Sequence, residues 1–194
     1  MWQEDCISLT DVTDSVKQLY HQLDWSFLGD FAYSISISGV IVGQIHVSLG
    51  VDDSSVYIEW IEFFDSYHGL HLLKPVLEKV GQTLSTSTLY FDADIDLVPK
   101  YLSIGARIAA SGYDDCREMV SLEYVVGCKA TPREERQTFL IVYNDSAAAQ
   151  DNILYREFNG NKQAADEYAK VCTEHCQGTG SGFEGPCRAI LKTS

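Results

Sequence analysis

The stretch that decides the fold is Trp60-Ile61-Glu62-Phe63-Phe64-Asp65-Ser66-Tyr67-His68-Gly69-Leu70-His71-Leu72-Leu73. Its first residues are aromatic and β-branched, the types that suit a pleated surface. A polar break follows, with a glycine at 69. Beyond it a new apolar pattern opens. Leu73, Val76, Leu77, Val80 and Leu84 recur at spacings of three and four, which predicts a helix over 70–84. A strand that turns directly into a helix is the unit of a mixed α/β sheet.

Working upstream, residues 56–64 complete that strand. Phe31, Tyr33, Ile35 and Ile37 alternate with Ala32, Ser34, Ser36 and Ser38, which predicts a strand over 31–38. Gly39 is the turn and residues 40–49 are its partner, so the two make a hairpin. Before them Val12, Val16, Leu19, Leu23 and Phe27 carry a helical spacing. That predicts a helix over 8–28, capped by Ser8 or Thr10 and ended by Gly29-Asp30. Working downstream, residues 88–91 read as a strand and 97–104 as a short helix, with Pro99 tolerated in its first turn. Residues 107–113 and 119–126 read as two closing strands, turned by Asp114-Asp115. The expectation is a mixed, mostly antiparallel twisted sheet flanked by helices, of the α/β (α+β) class.

A polar link over 130–136 separates this part from a tail. There residues 138–143 and 153–158 read as strands, 162–176 as a helix and 188–191 as a last strand. The helix places Ala165, Tyr168, Ala169 and Cys172 on one side. The division expected is a domain over 1–127 and a small β-α-β extension over 128–194. The extension is too small for a large core of its own, so it is a candidate docking element. Gly178-Thr179-Gly180-Ser181-Gly182 follows a helix and precedes a strand. That is the reverse of a phosphate loop, so it reads as a flexible connection.

The whole chain is an ordinary globular mixture, 45% hydrophobic and 22% charged over 194 residues. The first residues are acidic with no apolar leader, and the apolar run 40–49 is broken by Gly43, Gln44 and His46. A cytoplasmic protein without a membrane span is expected. Six cysteines at 6, 116, 128, 172, 176 and 187 then read as free thiols. Cys172 and Cys176 have no second pair at ligand spacing, so no metal site is expected.

Charge is the unusual quantity. The formal net is −14. Residues 1–127 hold 6 Lys and Arg against 19 Asp and Glu, and residues 128–194 hold 8 against 9. Such a field repels nucleic acid and anionic membranes and attracts cationic partners. Direct nucleic-acid binding is not expected, and no basic aromatic patch argues for it.

Two segments resemble a known family. The first is the quoted stretch 60–73, which resembles the strand–turn–helix of the GNAT superfamily of N-acyltransferases. The second is Tyr101-Leu102-Ser103-Ile104-Gly105-Ala106, which looks like that family's late Tyr-x-x-x-Gly-Phe segment. The resemblance covers residues 5–127 and implies acetyl-CoA as acyl donor, a cationic amine as acceptor, or a basic protein partner. By position it assigns Tyr101 as general acid and Glu59 and Glu62 as candidate bases, with Glu59 preferred. It assigns Phe63, Phe64, His68, Gly69, Leu70 and His71 to the cofactor turn. There free N–H groups and the helix dipole favour a pyrophosphate. Strict alternation puts Glu59 and Glu62 on opposite faces, whereas a bulge brings them closer.

The chain departs from the family pattern. His71 stands at the second turn glycine, His68 at the usual basic residue and Ala106 at the usual Phe. No Lys or Arg lies between Lys17 and Lys74, and Pro75 removes an amide early in the helix. These departures imply weak cofactor binding, or none. The alternative they imply is a catalytically degenerate domain that works as a structural or assembly subunit, or as an acidic inhibitor of a basic partner.

Overall fold

The structure is a computed structural model, and it describes residues 6–50, 55–68, 71–114, 117–128, 135–145, 150–178 and 186–193. Gly69 and Leu70 of the expected cofactor turn, Cys116, and the Gly-rich loop beyond Gly178 lie outside the described residues. The chain divides into two compact units. The first is Met1–Phe91 with Tyr124–Gly127, and the second is Asp92–Glu123 with Cys128–Ser194.

The first unit opens with strand β1 (Ile7–Asp11), followed by helix α1 (Thr13–Gln22). This corrects the helix expected over 8–28. Residues 7–11 pair antiparallel with β2 (Phe31–Ile37), Ile7 opposite Ile37 and Leu9 opposite Ile35. The apolar stripe misled because a strand ends just where its first residue, Val12, stands. Of that stripe only Val16 is buried within α1, while Leu19 and Leu23 are about half exposed. The helix start is fastened by Asp11, whose Oδ1 accepts from Thr13 N at 2.9 Å.

The predicted hairpin is present. β2 pairs antiparallel with β3 (Val40–Leu49), and β3 pairs antiparallel with β4 (Val56–Phe63). β5 (Thr88–Asp94) then runs parallel to β4, so the order in this unit is β1-β2-β3-β4-β5. Parallel neighbours need a crossover, and α2 (Leu73–Thr83) supplies it. Leu73, Val76, Leu77 and Val80 form its buried stripe as the spacing predicts, and the helix packs against β1. The chain comes back to this unit at the end of β7 (Met119–Val125), where Val126 N donates to Ser87 O at 2.9 Å. Gly81 permits that return, because a Cβ there would stand 2.3 Å from Val126 Cγ2.

In the second unit, α3 (Val98–Ser103) follows β5. β6 (Arg107–Asp114) pairs antiparallel with β7. The tail forms β8 (Gln137–Asp145), β9 (Gln150–Gly160), α4 (Lys162–Gly178) and β10 (Arg188–Leu191), with β8 central in a three-stranded antiparallel sheet. Ala165, Tyr168, Ala169 and Cys172 are buried on one side of α4, as their spacing predicts. Cys172, Cys176 and Cys187 are buried free thiols. Desolvation holds the Cys172 thiol far above its usual range and pushes Cys187 up to about 11, which makes both poor nucleophiles. Among the described residues no helix is long and apolar enough to cross a membrane, and no group of three His, Cys, Asp or Glu can hold a metal ion.

Candidate functional site

The centre of interest is the C-terminal half of β4. Its register against β3 pairs Val47 with Ile58 but His46 with Trp60, so Glu59 is an extra residue without an opposite number. That is a β-bulge, and a bulge reverses which residues face which side. Before it Val56 and Ile58 are buried; after it Ile61 and Phe63 are the more covered residues. Glu59, Trp60 and Glu62 are all exposed. The question left open by alternation is thereby answered: Glu59 and Glu62 share a face.

Three independent contacts fix that face. Ser48 Oγ donates to Glu59 Oε1 at 2.6 Å. The Trp60 ring lies 5.0 Å from the ring of His46, its cross-strand partner. Gln44 stands opposite Glu62, and its amide nitrogen donates to His46 Nε2 at 2.7 Å. Gln44, His46 and Ser48 are alternate residues of β3, so they and the two carboxylates lie on one side of the sheet. His46 is buried, with Phe27 at 4.9 Å and Tyr20 at 6.0 Å, and desolvation pushes its pKa down. It is therefore held as a neutral ring. The β3 row was not singled out from sequence, although the alternation Gln44-Ile45-His46-Val47-Ser48 is legible there.

The same half-strand leaves its other neighbour. The register of β4 on β5 comprises Val56 with Leu89, Tyr57 with Tyr90 and Ile58 with Phe91, and it stops at the bulge. From Glu59 to Phe63 the strand is bonded to β3 on one edge. In an antiparallel strand every second residue turns its N–H and C=O toward the opposite edge. A bulged strand that diverges from a parallel neighbour, then turns into a helix, is the arrangement the resemblance implies. The fold is GNAT-like.

No protein-family model matches the chain, and no curated protein matches it. Solved structures similar in fold include an Ard1 from Thermoplasma volcanium, at 11% identity over 62% of this chain and 98% of that one, TM-score 0.42. A spermidine N-acetyltransferase from Vibrio cholerae matches at 8% identity over 62% and 94%, TM-score 0.47. A Bacillus subtilis acetyltransferase in complex with CoA matches at 16% identity over 61% and 97%, TM-score 0.45.

The described residues on either side of 69–70 are engaged by their own neighbours. Residues Asp65–Tyr67 form a short 3-10 turn, and the His68 ring donates from Nε2 to Phe63 O at 2.5 Å. That bond ties His68 back to the end of β4. Phe63 is half-buried beside Gly43, and Phe64 is exposed, its N–H given to Val42 O at 2.9 Å. Lys74 is the first cation after Lys17, but its Nζ is held by Glu78 Oε1 at 3.1 Å and the Tyr124 hydroxyl at 2.7 Å. The helix's own first bond runs from Val76 N to Leu72 O. The N–H groups of Leu73 and Lys74 precede it, and Pro75 has none to give.

His71 has φ +55°, the left-handed conformation that glycine adopts without strain. Position 71 thus carries a side chain on backbone that glycine would adopt without strain. Left-handed backbone costs a non-glycine residue roughly 1–2 kcal/mol, and glycine loses roughly 0.4–1 kcal/mol through unfolded-state entropy. Urea unfolding of His71→Gly is therefore expected to match the parent or exceed it by up to about 1 kcal/mol. A clear loss would show that the imidazole makes contacts worth more than the strain.

Tyr101 belongs to the second unit, on α3, and is half-buried. Burial raises its pKa, so its hydroxyl holds the proton at neutral pH.

Proposed function

We propose that this chain is an acyl-CoA-dependent N-acyltransferase acting on a cationic amine or a basic protein. The observation that carries the reading is the bulge at Glu59. It puts two carboxylates on one face of the same half-strand that leaves β5. A thioester of coenzyme A supplies the acyl group. The edge of β4 beyond Ile58, where the register on β5 ends, offers backbone N–H groups to a carbonyl oxygen as negative charge grows on it. Glu59 or Glu62, directly or through water, takes the proton from the incoming ammonium so that the nitrogen becomes a nucleophile. Glu59, already an acceptor from Ser48, is the better oriented of the two. The resemblance gives Tyr101 the protonation of the departing sulfur, and burial keeps its hydroxyl protonated. The N–H groups of Leu73 and Lys74, at the start of α2, receive the phosphates rather than cationic side chains.

A second reading is favoured by one observation, the engagement of Lys74 by Glu78 and Tyr124. With that ammonium turned inward and the surrounding charge negative, the domain keeps the fold as a scaffold and works by binding a basic partner. Calorimetric titration with acetyl-CoA at low and moderate salt separates the two. Saturable binding that holds or strengthens as salt screens the repulsion between the acidic domain and the anionic cofactor, together with an approximately 100-fold lower turnover in Tyr101→Phe at unchanged affinity, is expected for the enzyme. No heat at either salt concentration sinks the acyltransferase reading and supports the scaffold.

A further inference from the structure

The segment from Gln18 to Leu73 carries seven carboxylates and no Lys or Arg. Asp24, Asp30, Glu59, Glu62 and Asp65 are among them, and within the described residues Glu59 and Glu62 enter no ion pair. Between these two along β4 stands Trp60, 40% exposed, although its ring already rests on His46 at 5.0 Å. An indole that is exposed, rests on a buried ring and has a carboxylate on either side of it on the same face is an unusual surface. The contact with His46 places the indole before any ligand arrives.

The chain itself gives an example of what this aromatic cluster attracts. Lys17 Nζ rests 5.3 Å from the centroid of Phe27, which in turn lies 4.9 Å from His46. The same ammonium donates to Asp30 O at 3.1 Å. An ammonium group between a ring face and an oxygen is therefore already part of this end of the unit, and Trp60 with Glu59 and Glu62 repeats the chemistry with no cation of its own supplied by the neighbouring sequence.

We infer that Trp60, Glu59 and Glu62 form a binding site for an organic cation whose nitrogen carries methyl or methylene groups. The ring quadrupole attracts the charge, and the alkyl groups lose little hydration when they meet the indole. The two carboxylates add attraction that a neutral ligand of the same shape does not feel. A small inorganic cation is held by its water instead, and an anion is repelled. The site stands whether or not acyl transfer takes place. Where both hold, Trp60 and Glu62 hold a second charged group of the acceptor while Glu59 serves the nitrogen that reacts.

The test uses the full chain and two probes, choline and its neutral isostere 3,3-dimethylbutan-1-ol. Binding is followed by the indole N–H resonance of Trp60 in a nitrogen–proton correlation spectrum, assigned by its loss in Trp60→Phe. Choline is expected to move that resonance saturably in the millimolar range, and the isostere to bind at least about tenfold more weakly. Trp60→Leu weakens choline by about tenfold, whereas Trp60→Phe, which keeps an aromatic face and the packing on His46, loses only a few-fold. Glu62→Gln weakens choline a few-fold and flattens its salt dependence. Equal response to both probes, or unchanged affinity in Trp60→Leu and Glu62→Gln, overturns the inference. The acetyl-CoA titration is separate: choline binding without acetyl-CoA binding leaves this site in place and removes the acyltransferase reading.

Discussion

Glu78→Ala is expected to lower the unfolding free energy by about 3 kcal/mol, read from urea denaturation at constant m-value. Glu78 is one of the few buried charged residues of the first unit, at 6% exposure. Its Oε1 accepts from the Tyr124 hydroxyl in a short bond and from Lys74 Nζ at 3.1 Å, and its Oε2 accepts from Gly127 N at 2.7 Å. Lys74 also lies over the Tyr124 ring at 5.2 Å. One carboxylate thus gathers three donors, two of which lie nearly fifty residues away in sequence at the point where the chain comes back to this unit. Truncation removes the carboxylate that the buried hydroxyl, the backbone N–H and the ammonium share. Removing one partner of a fully buried pair costs about 3–5 kcal/mol. The lower part of that range applies because Lys74 keeps 30% of its side chain in solvent. Glu78→Gln keeps one acceptor oxygen and is expected to lose about half as much. Loss below about 1 kcal/mol for the alanine variant would mean that Gly127 and Tyr124 find water in place of the carboxylate.

The fate of Glu78 also marks the limit of what the sequence makes legible. Inside Val76-Leu77-Glu78-Lys79-Val80 it looks like an outward-facing residue of an amphipathic helix. Its burial depends on Tyr124 and Gly127, and no local pattern contains that information. Where the pattern is local, the reading succeeds. The hairpin of β2 and β3 about Gly39, the stripe of α2, the short α3 and the strand–strand–helix–strand order of the tail all follow from period and punctuation. The N-terminus fails because two signals overlap. Residues 7–11 are a strand by virtue of pairing with β2, and the helical spacing beginning at Val12 disguised it.

The candidate site divides the same way. Glu59 and Glu62 are visible as carboxylates on a strand, but their common face depends on one extra residue in the register against β3. A bulge is a property of two strands together, so one strand's alternation leaves it undetermined. His71 shows the converse. The sequence has a histidine where a glycine is usual in the pattern, while the backbone keeps the left-handed conformation that the glycine would have served.

Gly43→Ala is expected to destabilise by about 3 kcal/mol and to disturb the end of β4 that carries the site. A Cβ at position 43 would stand 2.2 Å from Glu62 O and 3.1 Å from Phe63 Cα. Both are backbone atoms of the neighbouring strand, so no side-chain rotation relieves the contact. The strands must separate there, and the bond from Phe64 N to Val42 O at 2.9 Å lies at the point of separation. Overpacking costs about 1–3 kcal/mol where side chains can yield, and the upper end applies where they cannot. Glu62 and the strand's run into the turn move with the strand, so affinity for acetyl-CoA or choline is expected to fall in the same variant. Gly39→Ala is the control, because a Cβ there meets nothing within 4 Å and the strain comes from φ +82° alone. That substitution is expected to cost about 1–2 kcal/mol with no change in ligand binding. The two glycines separate space from conformation: if Gly43→Ala unfolds no earlier than Gly39→Ala, the close approach of β3 to β4 is not what holds Glu62 in place.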